Sequence, residues 1–117
     1  MSPSTPGELR VEISTTDAVA RVALSGELDI ATAPALEDEL GKLSEEVTRI
    51  VLDLRELAFI DSTGLRVVLG LASGIGEQRA SVVIVRGPEA VQRVFTLTGA
   101  DRELVMIGDP SELDDLT

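Results

Sequence analysis

The feature that most constrains the fold is an alternation of strand-like and helix-like segments from residue 19 onwards. The run RIVLDLREL at 49–57 is apolar almost throughout its centre, which is typical of a strand covered on both faces. The run ASVVIVRG at 80–87 has the same character, and a segment with helical spacing follows each run. This alternation predicts βαβ units, in which parallel strands are joined by right-handed crossovers.

The first part of the chain adds an antiparallel edge. Residues 9–15, LRVEIST, alternate apolar and polar side chains, and we predict that they pair as a hairpin with a second strand at 19–26. Thr32 is the predicted N-cap of the helix that follows, with Pro34 in its first turn. The apolar residues of this helix recur at steps of three and four: Ala33, Leu36, Leu40, Leu43 and Val47.

Length and composition predict one domain. A chain of 117 residues suits a single core, and with only 2% aromatic residues that core must consist mainly of aliphatic side chains. We assign residues 8–117 to the domain and residues 1–7 to a flexible tail. The start, MSPSTPGE, does not resemble a signal peptide, and no apolar run approaches the roughly 20 residues that span a bilayer. A cytoplasmic protein is expected.

Charge and residue types limit the function. The net charge of −11 opposes contact with nucleic acid and anionic lipid, so we expect neither nucleic acid nor a membrane as a partner. A protein with a basic patch suits this charge better. The chain has no His and no Cys, which removes the usual general base, the commonest metal ligand and any thiolate chemistry. We therefore expect no enzyme activity, no catalytic residue, no cofactor and no metal.

Two other candidate sites are weaker. Gly70, Gly74 and Gly76 lie late in a predicted helix, and no GK[ST] follows them, so they do not have the context of a nucleotide loop. Asp53 and Asp61 form a conceivable metal site of a small carboxylate-based hydrolase, although their spacing does not force them together. The structural alternative is that these carboxylates cap loops and accept backbone N–H groups. Asp53 also needs a partner because it sits in a buried strand.

The stretch FIDSTGL at 59–65 carries the strongest candidate site. Asp61 or Ser62 is a good helix N-cap, which is a purely structural role. However, Thr63 and Gly64 place further polar or flexible residues in the same turn, and the helix after them is apolar around most of its circumference. These features favour a hydroxyl displayed to another protein beside an apolar surface.

A phosphorylation switch fits this position. Ser62 lies one helical turn before Arg66 on the same face. A phosphate there would add nearly two negative charges, which Arg66 and the helix dipole favour and Asp61 opposes. The added group would block a docking surface without unfolding the protein.

Three segments, taken in order, resemble a STAS domain, and most closely the bacterial anti-sigma factor antagonists. They are LSGELDIATAPALEDEL, RIVLDLRELAFIDSTGLRVVL and GPEAVQRVFTLTGADREL, and the resemblance runs from about Leu9 to Ile107. It implies an α/β STAS fold, with a mixed, mostly parallel β-sheet and helices packed mainly on one side.

The resemblance also implies a regulatory cycle in transcription, of the kind used in stress response and sporulation. The unphosphorylated protein would bind an anti-sigma factor with serine kinase activity and release its sigma factor, and phosphorylation would end binding until a protein serine phosphatase reversed it. The modified residue follows the aspartate, which selects Ser62, with Thr63 as second choice. The implied partner-binding residues are Glu27, Asp29, Thr32, Asp61, Ser62, Thr63, Gly64, Leu65, Arg66 and Val68.

One position departs from the pattern. Many antagonists have a glycine where this chain has Arg66. This difference bears on which partner is bound and on the phosphorylation of Ser62. The alternative within the family is a scaffold subunit of a lipid-transport or stress-signalling complex.

Overall fold

The structure is a computed structural model that describes residues 8–73 and 80–116. The predicted tail at 1–7, together with Gly74 and Gly76, lies outside these residues. The strands are β1 Leu9–Thr16, β2 Val19–Leu28, β3 Arg49–Ile60, β4 Ser81–Val85 and β5 Val105–Ile107. The helices are α1 Ala33–Gly41, α2 Ser62–Ala72 and α3 Glu89–Thr98, with 3-10 turns at Ala100–Arg102 and Pro110–Leu116.

The strands form one sheet in the order β1-β2-β3-β4-β5. β1 is antiparallel to β2, and the remaining three pairings are parallel. The predicted hairpin and the predicted mixed, mostly parallel sheet are therefore confirmed. β3 lies at the centre, where Val51 pairs with Arg21 of β2 and Val83 of β4.

The two faces of the sheet are covered unequally. Buried residues of all three α-helices join one main core, which includes Ile50, Leu52 and the aromatic side chain of Phe95. A smaller cluster contains Val51 and is packed against by Leu113 of the last 3-10 turn. The helices thus lie on one side, as predicted, and the centre of β3 is covered on both faces.

Helix α1 is shorter than the apolar spacing predicted. It ends at Gly41, a poor helix former, and Leu43 and Val47 lie beyond it, although both still pack on the core. The Thr32 hydroxyl makes no capping bond to the helix, because it is engaged in the preceding turn. None of the helices within 8–73 and 80–116 combines the length and hydrophobicity that a transmembrane span requires.

A bulge near the end of β3 determines which residues face outwards. Leu57 pairs with Gly26 and Phe59 with Glu27, so Ala58 has no counterpart in β2. Leu57 and Ile60 consequently both enter the core although they are three residues apart. Strict alternation after Leu57 would have buried Phe59, whereas the bulge leaves it exposed.

Candidate functional site

The candidate site lies where β2 and β3 end. Asp61 directly follows β3 and is the N-cap of α2, and its Oδ1 accepts a hydrogen bond from the Gly64 N–H at 2.9 Å. Its Oδ2 accepts a hydrogen bond from the Ile30 N–H at 3.2 Å. One carboxylate therefore joins the start of α2 to the turn that follows β2.

That turn is held by its own side chains. The Asp29 Oδ1 accepts hydrogen bonds from the N–H groups of Ala31 at 2.9 Å and Thr32 at 3.0 Å. The Thr32 hydroxyl donates to the Glu27 carbonyl at 2.8 Å and accepts from the Asp29 N–H at 2.9 Å. Two residues predicted to bind a partner, Asp29 and Thr32, thus have a structural role that fixes the shape of the turn.

Gly64 allows α2 to begin close to the ends of both strands. It is buried, and a Cβ placed on it would lie 2.6 Å from the Leu28 carbonyl oxygen and 2.8 Å from Leu28 Cγ. The same Cβ would approach Ile60 Cγ1 to 3.0 Å. The glycine in FIDSTGL is therefore explained by close approach to β2 and β3.

Ser62 is the first residue of α2, and its side chain is exposed. Within the part of the chain that the structure describes, its hydroxyl has no hydrogen-bond partner, whereas the neighbouring Asp61 has two. Thr63 is half-buried, and Arg66 is exposed one turn further along the helix. Ser62 is thus the more accessible of the two candidate hydroxyls for modification.

Three of the residues predicted to bind a partner are buried. Leu65 is 6% exposed and Val68 is 0% exposed, and both belong to the main core, while Gly64 is buried against Leu28. In this structure these three residues support the surface from below and do not line it. Glu27, Asp29, Thr32, Asp61, Ser62, Thr63 and Arg66 retain at least partial exposure.

Helix α2 does not present the broad apolar surface that its sequence suggested. It contacts α1, β3 and β4, and of its residues 62–72 only Ser62 and Arg66 are exposed. Val67, Leu69 and Leu71 are half-buried and pack against the core. The apolar composition of this helix is largely accounted for by the fold itself.

The strongly exposed apolar side chains near Ser62 come from other segments. Ile30, in the turn after β2, is 72% exposed, and Phe59, near the end of β3, is 47% exposed. Neither residue is among those that the sequence predicted for the site. The exposure of Ile30 could have been predicted, because it stands in a turn between the short residues Asp29 and Ala31. The exposure of Phe59 depends on the bulge at Ala58, which the apolar pattern of the strand does not reveal.

The structure does not bring the two candidate metal carboxylates together. Asp53 lies in the middle of β3 and is ion-paired with Arg55, whose Nη2 is 2.7 Å from the Asp53 Oδ2. The hydrogen bond from the Arg55 side chain lowers the pKa of the Asp53 carboxyl, although partial burial opposes this change. At about 3.3 Å per strand residue, Asp61 lies more than about 20 Å further along the chain.

Within 8–73 and 80–116 no group of three or more acidic side chains is arranged to hold a metal ion. Both carboxylates accept backbone N–H groups, as the structural alternative predicted: Asp53 from Arg55 and Asp61 from Gly64. The ion pair of Asp53 with the Arg55 side chain was not predicted.

Comparison with known proteins agrees with this fold. The family model described as "Mlab, STAS domain" matches residues 11–108, which is most of the chain. This chain is a STAS domain. The match includes the turn after β2, the whole of α2 and every described residue of the candidate site.

Relatives of this STAS domain include named regulators. It is 29% identical over 107 residues to the anti-sigma-B factor antagonist of Staphylococcus aureus, covering 91% of this chain and 98% of that protein. It is 31% identical over 100 residues to the anti-sigma-F factor antagonist RsfB of Mycobacterium tuberculosis, covering 85% and 81%.

Solved structures share the fold. The crystal structure of an anti-sigma factor antagonist from Mycobacterium paratuberculosis superposes with a TM-score of 0.80 at 29% identity. That alignment covers 97% of this STAS domain and 94% of the other chain.

Proposed function

We propose that this STAS domain is an anti-sigma factor antagonist controlled by phosphorylation of Ser62. In this proposal the unphosphorylated form binds an anti-sigma factor with serine kinase activity and so releases a sigma factor. The names of relatives at 29% and 31% identity support the antagonist role. The observation that carries the switch is the exposed Ser62 hydroxyl, which has no partner among the described residues and stands at the start of α2.

The physical basis of the switch is the change in charge and volume at one position. A phosphoserine carries about −1.5 to −2 charges at neutral pH, and here it would stand next to the Asp61 carboxylate. Burying such a group in an interface without a paired cation costs several kcal/mol. A switch from 99% to 1% occupancy of the binding-competent state requires about 5.5 kcal/mol, which lies within that range.

The contacts of Asp61 are compatible with reversible modification. Both oxygens of its carboxylate accept backbone N–H groups, so Asp61 holds α2 to the turn after β2. The Ser62 side chain takes no part in these two hydrogen bonds. The Ser62 side chain contributes no hydrogen bond to the fold among the described residues. A kinase can therefore modify Ser62, and a protein serine phosphatase can restore it, without disrupting the domain.

Binding by Ser62 variants tests this proposal. Each variant is titrated against the purified anti-sigma factors of the organism that carries this chain. Ser62→Ala is expected to bind one of them as tightly as the unphosphorylated protein does. Ser62→Asp is expected to bind it at least about tenfold more weakly, because even one buried unpaired charge costs more than 1.4 kcal/mol.

The matched control is the neighbouring hydroxyl. Thr63→Ala is expected to accept one phosphoryl group from the anti-sigma factor and ATP, measured by intact mass, whereas Ser62→Ala accepts none. Phosphorylation that persists in Ser62→Ala would contradict the site. Equal affinities of Ser62→Ala and Ser62→Asp would favour a permanent scaffold subunit in place of a switched antagonist.

A further inference from the structure

We infer that Ile30 and Phe59 form the apolar anchor with which this STAS domain docks on its partner, and that the partner offers an apolar pocket with a basic rim. The inference rests on the proposed function and assigns its contact residues. Exposed apolar side chains are common singly on protein surfaces, so the inference depends on the position of these two and on the charges around them.

Both side chains are unusually exposed for their type. Among the described residues, the large apolar side chains that are strongly exposed are Ile30, Phe59, Leu97 and Val105. Ile30 and Phe59 lie at the ends of β2 and β3, whereas Leu97 belongs to α3 and Val105 to β5. One pair of exposed apolar residues thus accompanies the Ser62 site, and the other two lie on separate elements.

Backbone contacts place Ile30 and Phe59 at the same end of the sheet as Ser62. The Ile30 N–H donates to the Asp61 carboxylate at 3.2 Å, and Asp61 is the residue directly before Ser62. Phe59 precedes Asp61 by two residues and pairs in the sheet with Glu27, which precedes Ile30 by three. The backbones of Ile30 and Phe59 therefore lie close to Ser62 at one end of the sheet.

The charges around the anchor indicate the kind of partner. The carboxylates of Glu27, Asp29 and Asp61 stand on the same strand ends and turn, and Arg66 is the cation one helical turn beyond Ser62. Protein interfaces commonly place aromatic and aliphatic side chains at the centre and charged groups at the rim. An acidic rim around an apolar centre complements a pocket lined by apolar residues and edged by Lys or Arg. The net charge of −11 would steer such a partner towards the domain.

This arrangement also gives Ser62 its effect on binding. A phosphate on Ser62 would bring a strongly hydrated group to the edge of the apolar contact, where Asp61 already supplies a negative charge. Closing the interface pairs the basic groups of the partner's rim with the carboxylates of Glu27 and Asp29, so the phosphate would have to lose water next to Ile30 without a cation of its own. In this arrangement Ile30 and Phe59 supply the binding energy, and a phosphate on Ser62 prevents them from being buried in the partner's pocket.

The test measures binding of single variants to the anti-sigma factor that Ser62→Ala binds, with Ser62→Ala as the background so that phosphorylation cannot interfere. Ile30→Ser and Phe59→Ser are each expected to weaken binding by about 10- to 30-fold, as expected for truncated anchor residues. Leu97→Ser is the matched control, because Leu97 is 78% exposed and lies on α3. It is expected to leave the affinity unchanged, and thermal unfolding confirms that each variant is folded.

The outcomes separate the two proposals. If Ser62→Ala binds none of the anti-sigma factors, the proposed function is wrong, and so is the inference that Ile30 and Phe59 anchor the domain to such a partner. If Ser62→Ala binds but Ile30→Ser and Phe59→Ser bind equally well, the antagonist role stands and the anchor is overturned. A loss of affinity in Leu97→Ser as large as in the anchor variants would also overturn it, because the effect would then follow exposed apolar area in general.

Discussion

At the scale of single residues, neighbouring residues of the stretch FIDSTGL have different structural roles. Asp61 caps α2 and holds the turn after β2, Gly64 lets the helix approach both strands, and Leu65 enters the core. Ser62 has none of these structural duties within the described chain. An exposed hydroxyl without a structural role therefore stands among residues that hold the fold together.

Gly64 offers the clearest test of this division. Gly64→Ala is expected to lower the free energy of unfolding by about 1–3 kcal/mol, because the added methyl group meets the Leu28 carbonyl and the backbone must shift. Gly70 is the control on the same helix, since a Cβ there meets no atom of the described residues within 4 Å. Gly70→Ala is expected to raise the free energy of unfolding by about 0.5–1 kcal/mol in urea titrations. A destabilised Gly70→Ala beside an unchanged Gly64→Ala would contradict the packing of α2 described above.

Sequence analysis predicted the candidate site unevenly at this scale. The exposure of Ser62 and the capping by Asp61 follow from position in a strand-to-helix turn, which local pattern reveals. The burial of Leu65 and Val68 was missed, because apolar spacing does not distinguish a face that meets the sheet from a face that meets a partner. Phe59 was missed because its orientation depends on one extra residue in β3, and no local pattern specifies that residue.

At the scale of elements, β3 combines a doubly covered centre with an ion pair. Asp53 accepts hydrogen bonds from the side chain and the backbone N–H of Arg55, two residues along the strand. The partner that a carboxylate in a buried strand requires is thus supplied locally. Sequence analysis predicted that need but did not identify Arg55.

The Asp53–Arg55 pair predicts how stability depends on pH. Because the hydrogen bond from Arg55 lowers the pKa of Asp53 below its ordinary 3.8, the pair stabilises the fold above that value. The contribution is lost as the pH falls through the lowered pKa. Asp53→Asn should therefore be less stable than the unsubstituted chain at neutral pH, by an amount that shrinks in acid. Urea midpoints measured from neutral pH to below 3.8 check this, with the exposed Asp38→Asn as the control.

The effect should be modest, because the Arg55 side chain is 47% exposed and ion pairs open to solvent contribute little. A gap between Asp53→Asn and the unsubstituted chain that widened in acid would contradict the sign of the pKa change.

Element boundaries were predicted less well than element types. The strand and helix types followed from periodicity, but α1 ends at Gly41 although the apolar spacing continues to Val47. Val47 packs on the core from a loop, although its spacing from Leu40 and Leu43 matches that of a buried residue on a helix. Tertiary packing, which the sequence does not show directly, decides where such a helix stops.

At the scale of the whole molecule, the excess of negative charge is spread over a small fold. The chain carries 21 acidic and 10 basic residues, and ion pairs between described residues engage only a few of them. Such a surface repels itself in the folded state and attracts a basic partner. Stability and association should therefore respond to salt in opposite directions.

Raising NaCl from about 0.02 M to about 0.5 M is expected to raise the melting temperature, because screening reduces the self-repulsion of the folded chain. Over the same range the association rate with the proposed anti-sigma factor partner should fall at least about tenfold. Glu37→Gln combined with Asp38→Asn, on the exposed face of α1, is the control and should reduce the gain in melting temperature. A melting temperature that falls with salt would mean that ion pairs outweigh repulsion.

The position of Glu8 has a practical consequence for all these binding measurements. The Glu27 N–H donates to the Glu8 carbonyl at 2.9 Å, so Glu8 itself lies beside the acidic rim. At the other end, Leu113 packs against the Val51 cluster on the opposite face of the sheet. We therefore expect tags, fluorophores and tethering groups to disturb binding least when they are attached at the C-terminal end of the chain. In that position they leave the strand ends accessible to the partner.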